Sequence, residues 1–336
     1  MQLPRVCLIV LCVRSVIATD DASARASMPR AAPLTLEAKI ALGHVEGRID
    51  HLAFDPQRER LYVAELGNNS VGVVDLQTRR LVRTVQGFDE PQGIAYELST
   101  DAVYVANGGD GSVGVFRAED FFALDRIPLR SDADNVRVDR EAGLVYIGYG
   151  AALAIVDPLS RTKVANIPLK GHPEGFQVDP AGDRIFVNVP DAGEIAVVGE
   201  TQGRQLASWP TGKLRANYPL ALDSGNRSVI AVFRQPARLE TFEAQTGLRL
   251  RGADVCADAD DVFVDAGRHR VCVICGEGVV ETYDQSSDGI TRSGRFETSA
   301  GSRTGLYIPE LDRLLVAVRA SGKQSAAIWV LRPSKR

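Results

Sequence analysis

The chain has 336 residues, 45% of them hydrophobic and 24% charged, with a formal net charge of −4. That is the balance of a globular protein with an ordinary core. Lys and Arg are scattered without a basic run or interleaved aromatics, which argues against nucleic acid or an anionic membrane surface as a partner.

Met1 to Arg5 brings one positive charge, residues 6–13 are an apolar run, and Val16-Ile17-Ala18 offers a small residue for cleavage after Ala18. This is the layout of a secretory signal over residues 1–18, too short to span a bilayer, with Arg14 as its one departure. Residues 19–33, rich in Ala, Ser, Asp and Pro, read as a flexible leader. The expectation is a monomer in the periplasm or outside the cell, with no membrane span.

Residues 34–42 alternate as a strand should, and after them a unit repeats. In each copy a short strand ends at an anchor residue, in turn Asp55, Glu97, Asp139, Asp179, Asp223, Asp265 and Pro309. Successive anchors are 42, 42, 40, 44, 42 and 44 residues apart. A four-residue polar turn follows each anchor, such as Pro56-Gln-Arg-Glu, because Asp, Pro and Gly favour turns. The second strand places Tyr62, Tyr104, Tyr146, Phe186, Ile230, Cys272 and Val316 seven residues past the anchors, where side chains that pack on a pleated face belong. A third strand and a more polar fourth complete the unit. A period in the forties with four strands per unit predicts an all-β, seven-bladed β-propeller of antiparallel blades, one domain over residues 34–333. Only six fourth strands lie inside the array, so residues 34–42 are expected to pair beside residues 327–331 and close the ring.

Cys7 and Cys12 fall in the signal, leaving Cys256, Cys272 and Cys275, an odd number that makes no disulfide framework. Cys272-x-x-Cys275 has no second pair for a zinc site, and strand alternation puts its thiols on opposite faces. Both are expected to be structural.

Tyr104-Val-Ala-Asn107 followed by Gly108-Gly-Asp-Gly-Ser-Val-Gly-Val, and Tyr62-Val-Ala-Glu65 followed by Gly67-Asn-Asn-Ser-Val-Gly-Val-Val, resemble the signature of the YncE-like (YVTN-repeat) bacterial propellers. Phe186-Val-Asn188 is a weaker copy. The resemblance implies a seven-bladed, usually exported propeller, some members of which bind nucleic acid or partner proteins. The motif describes folding and carries over no catalytic residues.

Function in a propeller is written where strand ends meet around the axis. Positions five before and ten after each anchor are expected to lie opposite one another there. They pair Asp50 with Glu65, Gln92 with Asn107, Asp134 with Tyr149, Glu174 with Val189, Tyr218 with Phe233, Asp260 with Cys275, and Thr304 with Arg319. One residue further on stand His51, Asn135 and Asp261. The carboxylates cluster, and Asp134, Asn135, Glu174 and Asp260 form an oxygen-rich set suited to Ca²⁺ rather than zinc. Arg215, Arg234, Arg303 and Arg319 make the mouth bipolar, fit for a cationic, zwitterionic or peptide ligand. Asp, Asn and Gly at such positions also serve tight loops in a propeller that binds nothing.

The expected function is a non-catalytic scaffold that binds a protein or small molecule through this mouth and requires no cofactor. The alternative is a Ca²⁺-dependent hydrolase or lyase of the lactonase or streptogramin-lyase propeller type, with Glu174, Asn135 and Asp260 or Asp261 on the metal, or His51 or His172 as base. No nucleophile triad or phosphate loop is present, because Gly108 to Gly111 forms a hairpin turn with no helix after it.

Overall fold

A computed structural model describes residues 32–287 and 289–334. The signal segment and all of the leader before residue 32 lie outside the described residues. The rest is seven four-stranded antiparallel sheets, six of them ordered from the axis outward as they run in sequence. Blade 1 shows the pattern, with strands Leu52–Asp55, Arg60–Glu65, Ser70–Asp75 and Arg80–Gln86. The other inner strands are Pro91–Glu97, Ala133–Asp139, Phe176–Asp179, Arg215–Asp223, Ala259–Asp265 and Gly305–Ile308. The seventh blade takes its outer strand from the N-terminus. Leu34–Ala41 pairs antiparallel with Ala327–Pro333, Leu34 opposite Pro333 and Ala41 opposite Ala327, so both chain ends share one sheet.

The anchor column is a turn device. The Asp55 carboxylate accepts from the Gln57 and Arg58 N–H groups at 2.8 and 3.2 Å. Glu97, Asp139, Asp223 and Asp265 cap their own turns in the same way. These are local side-chain bonds that satisfy backbone donors a hairpin leaves open. The turn then closes in the left-handed region at Glu59, Asp101, Gly143, Asp183, Arg227, His269 and Asp312, one per blade. Asp312 corrects the seventh anchor. The inner strand ends at Ile308, which faces Arg313, so Pro309 opens the turn and this blade starts one residue earlier than its sequence suggests. Ile308 has no carboxylate to mark the column, and the proline beside it draws the eye instead.

Seven apolar cores fill the seven gaps between neighbouring blades. Tyr62, Tyr104, Tyr146, Phe186 and Ile230 are fully buried in these gaps, and Cys272 is 2% exposed. Burying side chains of this size contributes on the order of 1.5–3 kcal/mol each. Polar clamps lock two of the interfaces at their rim. Arg58 donates to both Asp101 oxygens at 2.8 and 2.6 Å while also holding Asp55, and Arg268 repeats this with Asp312 and Asp265.

Cys256 and Cys275 form a disulfide, which the cysteine count alone did not reveal. Cys272 is free and buried between blades 6 and 7, while Cys275 packs between blades 5 and 6. The opposite-face reading of the C-x-x-C pair therefore holds.

Candidate functional site

A one-residue bulge recurs around the ring and builds the mouth. In a regular antiparallel pair a residue exchanges both bonds with one partner. Here the Ala64 carbonyl accepts from Asp50 N–H at 2.8 Å, while Ala64 N–H donates to the His51 carbonyl at 3.0 Å. Asn188 is shared in the same way by Glu174 and Gly175. In blades 2, 3, 5 and 6 the register slips at the same place, after Pro91, Ala133, Asn217 and Ala259. Such a bulge bends the strand and re-aims the extra residue.

The expected cross-hairpin pairs are therefore one residue out. Asn107 faces Pro91 rather than Gln92, Tyr149 faces Ala133, Phe233 faces Asn217 and Cys275 faces Ala259. The second-strand ends do not line the axial cavity. Glu65 is fully buried, bonded to the Ser70 hydroxyl and laid over Gly72, where any Cβ would collide with its carboxylate. Asn107 bonds Ser112 at 3.2 Å, and the Tyr149 hydroxyl bonds Asn166. Gln92 turns to Asp132 at 3.1 Å, and the Arg319 guanidinium covers Gly301.

What does meet at the axis is a narrow cavity of about 50 Å³, lined from five blades by Asp50, His51, Asp134, Asn135, Glu174, Tyr218, Asp260 and Asp261, together with Arg48, Arg137 and Gln177. A space of that size holds a few waters or one small functional group. With the seventh blade in register, Arg303 takes the position that Asp50, Asp134, Glu174 and Asp260 take in theirs. Inner strands are close enough to bond across blades, His51 N–H to the Gln92 carbonyl and Gly175 N–H to that of Tyr218. Gly93 is a glycine because a Cβ there would run into the Asp134 carbonyl.

Two kinds of carboxylate share this cavity. Asp260 is neutralised in place, with Arg234 at 2.6 Å on one oxygen and Arg303 at 2.8 Å on the other, and both arginines also hold Asp258. Arg234 lies 4.1 Å from the Tyr218 ring centroid, a cation–π contact that fixes its plane. The other carboxylates are less well matched. Asp50 has Arg48 at 2.8 Å, yet burial outweighs that partner and pushes its pKa up to about 7. Burial likewise lifts Asp261 to about 7 although His51 stands 3.8 Å away and Gly305 N–H donates to it. Burial and the nearby Asp134 charge push Glu174 up to about 8.

Asp134 goes the other way. Burial opposes its charge, but His172, His51 and Arg48 outweigh that and hold it below the usual range. Its partner His172, 3.8 Å away, rises to about 9 because of that carboxylate and despite burial. Two acceptors are left over. Among the described residues the Glu174 carboxylate has no hydrogen bond or ion pair within reach, and the buried Asn135 Oδ1 has no donor. Arg48, Arg137 and Gln177 were missed from the sequence, although Arg137 and Gln177 stand where three other repeats have Ala53, Ala95 and Ala221.

Fold and site together define a seven-bladed β-propeller with a charged axial cavity. No protein-family model matches the sequence, and no curated protein sequence matches it. Among solved structures the chain is similar to a chain of Kuenenia stuttgartiensis hydrazine synthase, with TM-score 0.72 and 14% identity over 82% of this chain and 94% of that one. It is also similar to a chain in the crystal structure of a mitotic checkpoint complex, with TM-score 0.78 and 12% identity over 95% of this chain and 99% of that one. At such identities the likeness concerns the fold alone.

Proposed function

We propose that this protein is an exported, YncE-like propeller that works as a non-catalytic binding scaffold and takes a protonated amine of its ligand into the axial cavity. One observation carries the reading. Glu174 and the Asn135 carboxamide oxygen, from neighbouring blades, are acceptors without donors in one cavity. A buried acceptor left unmade costs about 1–3 kcal/mol, so a ligand that donates a hydrogen bond to the buried Asn135 oxygen recovers that free energy. An ammonium donates to the Asn135 oxygen and brings the positive charge that draws Glu174 into its ionised form against the burial that lifts its pKa to about 8.

The Cys256–Cys275 disulfide supports export, because such bonds persist in oxidising compartments. The Tyr-Val-Ala motifs of blades 1 and 2 support the YncE-like assignment, since both lie on second strands.

A Ca²⁺-dependent hydrolase is the competing reading, favoured by the same oxygens. Asp134, Asn135, Glu174 and Asp260 fit that ion less well than an amine, because Asp260 is held by two arginines and Asp134 by His172. Among the described residues no group of three His, Cys, Asp or Glu stands close enough to hold a metal.

Thermal melting separates the two, since a ligand of the native state raises the melting temperature. Butylamine is expected to raise it, butanol is not, and Glu174→Gln is expected to abolish the rise. A rise with Ca²⁺, reversed by EDTA and joined by lactone turnover, would replace this reading with the enzyme.

A further inference from the structure

On the hairpin-turn side of the acidic cavity the channel widens into a second chamber of about 280 Å³. Phe54, Ile94, Tyr96, Phe263 and Leu306, from four inner strands, give it an apolar face, while His51, Gln177 and Asp261 line it towards the acidic cavity. Arg137 lines this chamber and the acidic cavity alike, and Arg140 lines it from the adjoining turn. An apolar face set beside a few convergent polar groups is a common form of small-molecule site. An apolar cavity of about 150 Å³ takes a benzene-sized ligand, so this chamber has room for a ring with a short chain.

Arg137 decides what that ligand carries. Its guanidinium has five donors, and the structure uses one of them, Nη1 to the carbonyl of the adjacent Val136 at 2.9 Å. It lies 5.6 Å from the Phe176 ring, and among the described residues no carboxylate is within 4 Å of it. Asp134 and Asp261 face it from farther off. Arg58, Arg234, Arg268 and Arg303 are all matched to carboxylates. The fold itself does not call for a cation at this position, because blades 1, 2 and 5 have Ala53, Ala95 and Ala221 in the same register.

We propose that this chamber binds a small amphipathic carboxylate, an aryl or short-chain alkyl acid. The carboxylate sits on the Arg137 fork with Arg140 adding charge at the rim, and the apolar body lies against Phe54, Tyr96 and Phe263. Guanidinium and carboxylate match in a planar, two-bond geometry that an ammonium does not offer. This site adjoins the amine site and shares Arg137 with its lining, but the groups that hold the ligand, Arg137 here and Glu174 with Asn135 there, differ and carry opposite charge preferences.

The test is calorimetric titration of the intact protein with 3-phenylpropionate, beside the neutral 3-phenylpropionamide. Saturable binding of the acid is expected, with the amide weaker by at least about tenfold, the loss of one charge-assisted pair. Arg137→Met, which keeps an apolar stem in place, is expected to remove the preference for the acid while the melting temperature stays near that of the parent. If Arg137→Met does not fold, Arg140→Gln at the exposed turn serves instead and is expected to weaken the acid but not the amide. No saturation by the acid, equal binding of acid and amide, or an Arg137→Met protein that keeps its preference for the acid would each overturn the proposal.

Discussion

Asp134 and His172 come from adjacent blades and stand 3.8 Å apart at the axis, one held charged by the other. Around this pair lie Asp50 and Asp261, lifted to about 7, and Glu174, lifted to about 8. A carboxyl whose pKa is raised on folding binds its proton more tightly in the native state, so it costs stability as pH rises through the shifted value. A histidine raised to about 9 stabilises fully below its unfolded pKa and loses that contribution as pH rises through 9. Both signs agree. The melting temperature is expected to fall between about pH 5.5 and about pH 8.5. Glu174→Gln should flatten the slope, and a profile that rises across this window would contradict the charge assignment.

At the acid end the direction reverses. Asp134, Asp101 and Asp312 are held below the usual carboxylate range, Asp101 and Asp312 by Arg58 and Arg268 and Asp134 by His172 against burial. Their stabilisation is present above the unfolded pKa and lost as pH falls through the folded value. Scanning calorimetry below about pH 4 is expected to show the transition moving down. Arg58→Ala should remove part of that dependence, because Asp101 then keeps only the Tyr96 hydroxyl to hold its pKa down.

The anchor aspartates should matter more than exposed turn residues usually do. Asp55 caps two backbone N–H groups, pairs with Arg58 at 2.9 Å and meets the Tyr62 hydroxyl at 3.3 Å, all while fully buried. Asp55→Ala is expected to cost about 2–4 kcal/mol in urea unfolding, since it strands several donors at once. Asp55→Asn keeps the cap and should cost less.

The Cys256–Cys275 bond closes a segment with a sequence separation of 19 that carries Asp258, Asp260 and Asp261. The fully buried Glu281 carboxylate holds the same segment, accepting from Cys256 N–H at 2.9 Å while Arg292 lies 2.7 Å away. Cys256→Ser is expected to cost about 2–4 kcal/mol of stability. Peptide mapping without reductant should recover the two cysteines on one linked fragment. A shift in the pH profile on adding reductant would report that the acidic segment has moved.

Ring closure rests on one strand. Leu34 and Ile40, 2% and 1% exposed, belong to the cores on either side of blade 7. Deleting residues 34–41 leaves the edge of Ala327–Pro333 unpaired and both cores open. The deletion is expected to broaden the thermal transition and promote aggregation through the bare edge, read by calorimetry and light scattering. A variant that melts as sharply as the parent would show that closure is dispensable.

Blade number, strand order and the shared first and last sheet were legible in the sequence, because they follow from local rules. A turn needs its capping Asp, a strand alternates, and a packed gap needs Tyr62 or Tyr104 at a constant distance from the anchor. Those signals recur with the period of the fold and reinforce one another. Where the local marker is missing, as at Ile308, the reading slipped by one residue. The mouth was only half legible. Asp50, Asp134, Asn135, Glu174, Asp260 and Asp261 do reach the axial cavity, but Glu65, Asn107 and Tyr149 do not. A bulge is an extra residue in a hydrogen-bond ladder, and spacing alone does not show which strand carries it. The disulfide, the arginine clamp on Asp260 and the unmatched guanidinium of Arg137 were decided by tertiary structure alone. Each joins or faces groups that only the closed ring brings together, and burial at the axis, rather than residue type, sets which carboxyls have their pKa raised.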